Sequence, residues 1–150
     1  IPDEVVELAV SSPLTMIASD GMWLDKGRAH PRTFGTYARV LGRYVREEKA
    51  LTLMDALAKM SLRPARRLER RVPEMKNKGR VRVGADADLV VFNPDTVIDK
   101  GTFEDPAQQP EGIRHVVVNG TAVLVESKIV EGAFPGRAVR GPVKEAEPGS

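Results

Sequence analysis

The spacing of apolar residues changes near residue 71, and this change constrains the fold more than any other feature. Before residue 71, apolar residues recur every three or four positions, which is the period of amphipathic helices. After it, short valine-rich runs end at turn residues, which is typical of strands. Asn119-Gly120 separates two such runs and predicts a β-hairpin, because a type I′ turn needs positive φ at both central residues. The sequence therefore predicts a mixed α/β fold.

The part before residue 71 is predicted to be helical, with one short strand. Leu14–Ala18 is almost wholly apolar, which suits a strand buried on both faces of a parallel sheet. Thr52 and Asp55 resemble a capping box, which predicts a helix start. In chain order, the predicted segments are a helix over 3–10, the strand, a polar loop over 20–32, a helix over 33–47, the helix that starts at Thr52, and a short helix from Pro64 to Arg70.

The part after residue 71 is predicted to be rich in strands. These are Asp88–Phe92 and the two hairpin strands, Ile113–Val118 and Thr121–Glu126. We expect Asp86 and Asp88 to order the start of the first strand, with metal binding as the less favoured alternative. From about residue 141, Pro, Lys, Glu, Gly and Ser leave little to bury, which predicts a flexible tail over 141–150.

Composition excludes several classes of protein. The 150 residues contain no cysteine, which excludes disulfides and thiolate metal sites within this chain. A formal net charge of +2 is too small an excess of basic residues for a strong nucleic-acid-binding surface, so we expect no nucleic-acid partner. The arginine-rich stretch of residues 63–71 is interpreted as a solvated helix face, since Glu69 interrupts it and no aromatic residues are interleaved for base stacking. Contact of these arginines with nucleic-acid phosphates is the less favoured alternative.

Hydropathy gives expectations about location. No apolar run approaches the roughly 20 residues that span a bilayer, so we expect no membrane partner. The chain has no charged-then-apolar leader, which predicts a cytoplasmic location. It begins at Ile1 rather than Met, and is therefore expected to be a processed chain or a piece of a longer one.

Asp20 is the leading catalytic candidate. It follows the apolar run and precedes Gly21, so it lies where the chain leaves the predicted strand. In α/β barrels, the carboxyl ends of the strands face the reaction site. A carboxylate there can bind a cation or move a proton. The alternative, which the bare pattern favours, is a loop aspartate that caps the next turn.

The following loop contributes His30 and Arg32, both candidates for substrate binding. The guanidinium of Arg32 can hold a substrate carboxylate through paired hydrogen bonds, and the alternative is an ordinary salt bridge to an acidic residue. His30 is the better functional candidate of the two histidines, although a lone loop histidine is more often structural. His115 is expected to be a surface or cross-strand residue of the hairpin. Two histidines are a poor start for a catalytic zinc site, which needs three protein ligands.

Several blocks of the sequence, taken in order, resemble the carboxyl-terminal part of the N-acyl-D-amino-acid deacylases (D-aminoacylases) of the amidohydrolase superfamily. Each block is weak alone, but the ordered set is specific and covers nearly the whole chain up to about Arg140. The blocks are Met16-Ile17-Ala18-Ser19-Asp20-Gly21, His30-Pro31-Arg32-Thr33-Phe34-Gly35-Thr36 with Arg39–Tyr44, Lys59-Met60 with Pro64-Ala65, Gly84–Phe92, and Thr102–Pro106 with Pro110–Ile113 and Val118–Gly120.

The resemblance implies an incomplete fold. It consists of the last β/α unit of a metal-dependent (β/α) barrel, joined to the carboxyl-terminal strands of a small β-sandwich. Residues 1–70 would belong to the barrel, and residues 71–140 to the sandwich. A complete barrel takes about 250 residues, so this chain cannot contain one. It would contain one edge of the active site.

The resemblance also implies roles for the site residues. The family's aspartate after the last barrel strand lies beside the metal, so Asp20 would belong to the metal site, take a proton and deliver it to the departing amine. Arg32 matches the family's His-Pro-Arg loop and would anchor the amino acid's carboxylate, with His30 shaping the same pocket. Gly21 would allow a tight turn beside the substrate. The cofactor would be zinc, with most of its ligands outside this chain.

The implied function is hydrolysis of the amide bond of N-acyl-D-amino acids by a zinc-dependent enzyme of which this chain is the carboxyl-terminal part. The chain alone is expected to be inactive, because most metal ligands are missing. Its implied partners are a small-molecule N-acyl amino acid and either the missing amino-terminal part or a second copy of the chain. The alternatives are a related amidohydrolase for cyclic amides or dipeptides, and a non-catalytic fragment or assembly module.

Overall fold

A computed structural model describes residues 1–22 and 29–142. The predicted loop over 20–32 therefore lies partly outside the described residues, and the predicted tail lies almost wholly outside them. In chain order, the described elements are helices α1 (Asp3–Ser11), α2 (Arg32–Arg39), α3 (Leu53–Leu57) and α4 (Arg63–Leu68), π-helical segments after α2 (Val40–Glu47) and after α3 (Ala58–Leu62), a 3₁₀ turn (Pro73–Asn77), and strands β1 (Leu89–Phe92), β2 (Ile113–Val118), β3 (Thr121–Val125) and β4 (Lys128–Ile129).

The predicted helices form, and two of them join. At the start of α3, the N–H of Asp55 donates to Oγ1 of Thr52 at 3.1 Å, which confirms the capping pattern. The separate helix predicted at Pro64 is wrong, because the helical chain runs without a break from Leu53 to Leu68. The π-helical segment before α4 widens the helix next to Pro64, and this accommodates a residue that has no backbone N–H.

The strand predicted over Leu14–Ala18 is absent, so this prediction is wrong. Leu14 and Met16 are exposed, and the N–H of Ile17 donates to the carbonyl oxygen of Lys59 at 3.2 Å. A buried parallel strand requires neighbouring strands in the same sheet. The only sheet in the described part of the chain is built from residues after 88, and none of its strands pairs with this segment. An apolar run without strand partners does not become a strand.

Lys59 is buried, with 1% of its surface exposed, and joins two parts of the helical region. Its ammonium group donates to the carbonyl oxygen of Val10 at 2.7 Å, to that of Ser12, and to Oγ1 of Thr15 at 3.1 Å. Three acceptors match the three N–H donors of an ammonium group. Val10 and Ser12 lie at the end of α1, and Thr15 begins the segment that leads to Asp20. Lys59 therefore joins the end of α1 and the segment leading to Asp20 to the helix that contains α3 and α4.

The four strands form one antiparallel sheet in the order β1-β2-β3-β4. Asn119 and Gly120 join β2 to β3 with φ angles of 46° and 77°, so the predicted hairpin is confirmed. The pairing of β1 with β2 and that of β2 with β3 each contain one register shift. Such irregularities bend a strand and increase its local twist.

Acidic residues order the start of β1, as predicted. Nζ of Lys78 lies 2.9 Å from a carboxylate oxygen of Asp86 and 2.6 Å from one of Asp88. The N–H of Asn119 donates to Asp88 at 2.8 Å, which ties the hairpin turn to the start of β1. This backbone donor, together with Lys78, holds the pKa of Asp88 below its ordinary value.

One hydrophobic core is shared by the helices and the loop after β1. Val97 is fully buried and belongs to the same cluster as Leu41 and Tyr44. Gly42 permits this packing, because a Cβ there would lie 2.5 Å from the carbonyl oxygen of Val97. Nη1 of Arg46 donates to the same oxygen at 2.6 Å. The loop after β1 is thus fixed to the helix that begins with α2.

The chain has a mixed α/β fold, as predicted, and its sheet is antiparallel. The division at residues 71 and 141, and the assignment of the two parts to a barrel and a sandwich, stay predictions. No helix in the two described ranges is both long enough and apolar enough to cross a membrane. The arginine-rich stretch is a solvated face, since Arg66, Arg67, Arg70 and Arg71 are exposed.

Candidate active site

Asp20 ends the segment that follows α1 and has an unusual backbone conformation. Its φ of 48° lies in the left-handed region, which few non-glycine residues adopt and which Asp tolerates better than most. Its side chain is 78% exposed, so the carboxylate is open to solvent. Backbone strain of this kind is concentrated at functional sites, where surrounding contacts maintain it.

Gly21 allows the chain to pass close to α2. A Cβ at this position would lie 3.1 Å from the Cα of Thr33, which is tighter than most real contacts. A larger residue would therefore push the two segments apart. The close passage brings Asp20 next to the His-Pro-Arg turn, residues 30–32, at the start of α2.

Arg32 holds Asp20 through two contacts. Its Nη2 lies 2.9 Å from Oδ2 of Asp20, and its Nε–H donates to the backbone oxygen of Asp20 at 3.1 Å. A guanidinium carries five N–H donors, so three are not used by these contacts. The Arg32 side chain is 44% exposed, which makes a further acceptor from solvent or a ligand sterically possible.

His30 orients the backbone of the turn. Its Nδ1 accepts the N–H of Arg32 at 3.1 Å. Because Nδ1 is the acceptor, the neutral ring carries its proton on Nε2. The ring also packs edge-to-face with the ring of Phe103, with centroids 5.0 Å apart and an interplanar angle of 80°. His30 therefore connects Arg32 to the second half of the chain.

The first backbone amides of α2 are used within the turn. The N–H groups of residues 33–35 donate to the carbonyl oxygens of His30 and Pro31 at distances between 2.9 and 3.1 Å. These amides are therefore engaged, and the helix start offers little to an anion. A substrate carboxylate bound here would depend on the side chain of Arg32.

The structure brings the three predicted site residues together. Arg32 contacts both Asp20 and His30. The salt bridge that was the alternative for Arg32 is present, and its partner is Asp20 itself. The catalytic role of Asp20 and the binding roles of Arg32 and His30 stay predictions. His115 lies elsewhere, in β2, with Nε2 3.2 Å from Oε1 of Glu126, so its cross-strand prediction is confirmed.

The sequence matches a known family over most of its length. Residues 10–124 match the model of a family described as the amidohydrolase family. This chain belongs to the amidohydrolase family. The resemblance to the D-aminoacylases that the sequence blocks indicate is confirmed by individual relatives of the chain.

Two curated relatives of the chain come from Alcaligenes xylosoxydans xylosoxydans. The chain is 46% identical to an N-acyl-D-glutamate deacylase and 42% identical to a D-aminoacylase, over 83% of its own length in both cases. It also aligns over 94% of its length with the crystal structure of an N-acyl-D-glutamate deacylase from Bordetella bronchiseptica, with a TM-score of 0.83 and 38% identity. That structure is complexed with zinc and a phosphonate inhibitor that mimics the tetrahedral intermediate.

The chain spans about a quarter of the length of these relatives. It covers 24% of each of the two curated proteins and 28% of the crystallised chain.

Asp20 is the candidate metal ligand among the described residues of this chain. These residues contain no group of three or more His, Cys, Asp or Glu side chains that could hold a metal ion. The exposed carboxylate of Asp20 fits the chemistry of zinc, which accepts carboxylate oxygens as ligands but usually takes three or more from protein. Further zinc ligands would therefore have to lie outside the described residues.

Two residues, Phe103 and Lys59, contact the site or the segment that supports it, although neither is among the predicted site residues. Phe103 belongs to a block that carries the resemblance, but no local pattern indicates its contact with His30. Lys59 offered a usable signal. It lies three residues after Ala56 and next to Met60, so helical spacing places it on the buried face. Lysine is almost never fully buried unless it is paired.

Proposed function

We propose that this chain is the carboxyl-terminal part of a zinc-dependent amidohydrolase that hydrolyses the amide bond of N-acyl-D-amino acids. The observation that carries the proposal is the pairing of an exposed carboxylate, Asp20, with a guanidinium, Arg32, that has further donors. One group can move a proton, and the other can hold a substrate carboxylate. The relatives named N-acyl-D-glutamate deacylase and D-aminoacylase support the same reaction.

Asp20 would act on the proton of the attacking water. Its carboxylate accepts this proton as the water adds to the amide carbonyl, and then delivers it to the nitrogen as the C–N bond breaks. Oδ1 is the oxygen suited to this work, since Oδ2 faces Arg32. Zinc, when bound, would supply activation of the water and polarisation of the carbonyl.

Arg32 would bind the carboxylate of the amino-acid part of the substrate. Its two contacts with Asp20 fix the direction of the guanidinium, and its remaining N–H groups are the donors for the substrate. When Arg32 binds the substrate carboxylate, the amide of the same substrate lies near Asp20, because Arg32 and Asp20 are in direct contact. Binding one end of the substrate in this way orients the amide and lowers the entropic part of the activation free energy. His30 would shape the pocket by fixing the backbone of Arg32.

Exposed apolar surface supports the view that the chain is part of a longer enzyme. Val90 and Val91 are adjacent in β1, so they point to opposite faces of the sheet, and both are exposed. Leu14 and Met16, in the segment before Asp20, are exposed as well. In our proposal, the missing part of the barrel and sandwich covers these surfaces. Residues 14–18 would become a strand when neighbouring barrel strands are present. A cytoplasmic location belongs to the same proposal.

The complete enzyme tests the proposal. When this chain is joined to the missing amino-terminal part, we expect release of free amino acid from N-acetyl-D-glutamate or N-acetyl-D-leucine, with N-acetyl-L-amino acids as controls. Removal of the metal with a chelator should abolish the activity, and zinc should restore it. The 150-residue chain alone should be inactive in the same assay. A complete, zinc-loaded enzyme that cleaves none of these D-substrates would contradict the proposal.

Substitution of Arg32 tests its binding role. In the complete enzyme, Arg32→Met should raise KM for an N-acyl-D-amino acid by about 100-fold, because truncating one partner of a hydrogen-bonded charge pair that becomes buried in the complex costs about that much affinity. Steady-state kinetics measure the change. Arg114→Met is the matched control, since Arg114 also forms an ion pair with a carboxylate, at 2.6 Å from Glu126, but lies on the sheet. Equal KM values for Arg32→Met and the control would reduce the role of Arg32 to its salt bridge.

A non-catalytic role as an assembly module is the second candidate, because the same exposed apolar surface on β1 favours pairing with another chain. Light scattering or ultracentrifugation of the purified chain separates the two. A compact monomer would count against the assembly module, whereas a stable oligomer would support it. Dipeptides and cyclic amides, offered to the complete enzyme beside the N-acyl-D-amino acids, test the related amidohydrolase activities.

A further inference from the structure

The loop of residues 99–106 lies against the His-Pro-Arg turn and the start of α2. Asp99 forms an ion pair with Arg39 at 3.2 Å, and its Cβ lies so close to Gly35 that a Cβ there would be 2.7 Å away. A Cβ at Gly101 would lie 3.5 Å from Cβ of Pro31. Residues 99 and 101 of the loop thus lie against α2 and against the His-Pro-Arg turn, respectively. A loop that meets a turn at several points can fix the position of that turn.

Phe103 continues this series and contacts the turn through His30. The two rings form the edge-to-face pair described above, with centroids 5.0 Å apart. Phe103 is nevertheless 69% exposed, so it is not a core residue. A large aromatic side chain at this exposure contributes little to folding by burial, and the His30 ring is its aromatic contact in the described part of the chain.

Hydrogen bonds within the loop hold Phe103 in place. The N–H of Thr102 donates to the carbonyl oxygen of Asp105 at 3.0 Å, and the N–H of Asp105 donates to Oγ1 of Thr102 at 3.0 Å. Phe103 lies inside the turn that these two bonds close. Ile98 and Glu111 lie on either side of the loop, and the N–H of Glu111 donates to the carbonyl oxygen of Ile98 at 3.0 Å. Phe103 therefore lies in a hydrogen-bonded turn, and the two ends of its loop are joined by a backbone hydrogen bond.

A chain of contacts leads from Phe103 to the candidate catalytic group. The Phe103 ring packs on His30, Nδ1 of His30 accepts the N–H of Arg32, and the guanidinium of Arg32 holds Asp20. Rotation of the His30 ring would move Nδ1 away from the N–H of Arg32. The aromatic contact opposes that rotation, because edge-to-face pairs have a preferred geometry.

We propose that Phe103 is a positioning residue for Arg32, acting through His30. It keeps the His30 ring in the orientation in which Nδ1 accepts the N–H of Arg32, and so keeps the guanidinium directed at the substrate carboxylate and Asp20. The proposal rests on the proposed function, because it assigns Phe103 to the binding of the amino acid's carboxylate. It gives the second half of the chain a part in substrate recognition.

A double-mutant cycle in the complete enzyme tests the proposal. Phe103→Ala should raise KM for the N-acyl-D-amino acid by about 5-fold, the value expected from loss of one aromatic pair, with kcat changed by less than about 2-fold. In the Arg32→Met background, Phe103→Ala should have no further effect, because Phe103 acts only through Arg32. Phe103→Tyr, which keeps the ring, should restore the wild-type KM. Effects that multiply in the double variant would overturn the proposal.

Phe134→Ala is the matched control, since Phe134 is 92% exposed and belongs to the same half of the chain. It should leave KM and kcat unchanged. An equal KM effect of Phe134→Ala and Phe103→Ala would overturn the positioning role. A crystal structure of the Phe103→Ala enzyme adds a test that does not need activity. It should show the His30–Arg32 hydrogen bond broken, and an intact bond would overturn the proposal even if the wild-type enzyme cleaves no N-acyl-D-amino acid.

Discussion

Asp20→Asn in the complete enzyme is expected to lower kcat for N-acyl-D-amino acid hydrolysis by about 10³-fold, the middle of the range for general acid–base catalysis. Asparagine has nearly the same shape, and its amide oxygen can still accept from Arg32, which lies 2.9 Å from Oδ2 of the native aspartate. It cannot take up a proton from water or deliver one to the amine. The loss should therefore appear in kcat, with a smaller change in KM.

Asp3→Asn is the control for this experiment. Asp3 resembles Asp20 in being exposed, with 75% of its side chain accessible, and in pairing with an arginine, Arg43, at 3.0 Å. It lies on α1 and has no proposed part in the reaction. The zinc content of both variants should be measured in parallel, because loss of zinc from Asp20→Asn would show that metal binding contributes to the fall in kcat, whereas retained zinc would assign the fall to proton transfer. Near-normal activity of Asp20→Asn would remove it from the mechanism.

Lys59→Met is expected to lower the free energy of unfolding by about 3 kcal/mol, because it removes a buried ammonium group and leaves the groups that accept its hydrogen bonds without a donor. The carbonyl oxygens of Val10 and Ser12 and the hydroxyl of Thr15 would lose their donor. Methionine fills a similar volume, so the loss would reflect the hydrogen bonds rather than a cavity. Urea denaturation followed by circular dichroism measures the change.

Lys128→Met is the matched control, because Lys128 is exposed on β4. A substitution on an exposed surface should change the free energy of unfolding by less than about 0.5 kcal/mol. A similar small effect for Lys59→Met would show that the three hydrogen bonds contribute little. The comparison therefore isolates the buried ammonium group from the general effect of replacing lysine by methionine.

The pH dependence of stability gives a second readout of Lys59. Burial, and to a smaller degree the neighbouring Arg63, lowers the pKa of Lys59 from its ordinary value of 10.5. Between the lowered value and 10.5, the unfolded chain binds more protons than the folded chain, so the Lys59 contribution makes the free energy of unfolding rise with pH. Lys59→Met removes this contribution. The stability difference between the wild-type chain and the variant should therefore grow as the pH approaches 10.5.

Much of the local structure could be predicted from the sequence. The capping bond between Thr52 and Asp55 and the hairpin at Asn119-Gly120 both form as predicted. These features depend on residues within a few positions of one another, so the information that specifies them is contained in short stretches of sequence. The long helix that begins with α2 was predictable for the same reason, because its buried residues follow the helical period.

The failed predictions concern two segments whose local preference is outweighed by other structure, distant in one case and adjacent in the other. Leu14–Ala18 has the composition of a buried strand, but the described chain gives it no strand to pair with. Pro64 has the character of a helix start, yet the helix continues through it, because a π-helical segment absorbs the local cost. In both cases, the surroundings outweighed a correctly identified local preference.

The candidate site divides in the same way. Asp20, His30 and Arg32 were identified because they follow one another along a short loop, and the structure brings them into contact. The roles of Lys59 and Phe103 were not identified, although both lie in blocks that carry the family resemblance. Each contacts a segment more than forty residues away along the chain, as the separation of 49 between Lys59 and Val10 illustrates.

By itself, the sequence determined the family, the mixed α/β character, most of the helices and the hairpin, and it singled out the three residues of the candidate site. Only the tertiary structure decided that Arg32 contacts Asp20 twice and that Phe103 packs on His30. It also decided that Lys59 is buried next to the segment that leads to Asp20. The physical reason is range. Backbone preferences and turn chemistry act over a few residues, whereas burial, ion pairing and ring packing depend on which distant segments the folded chain brings together.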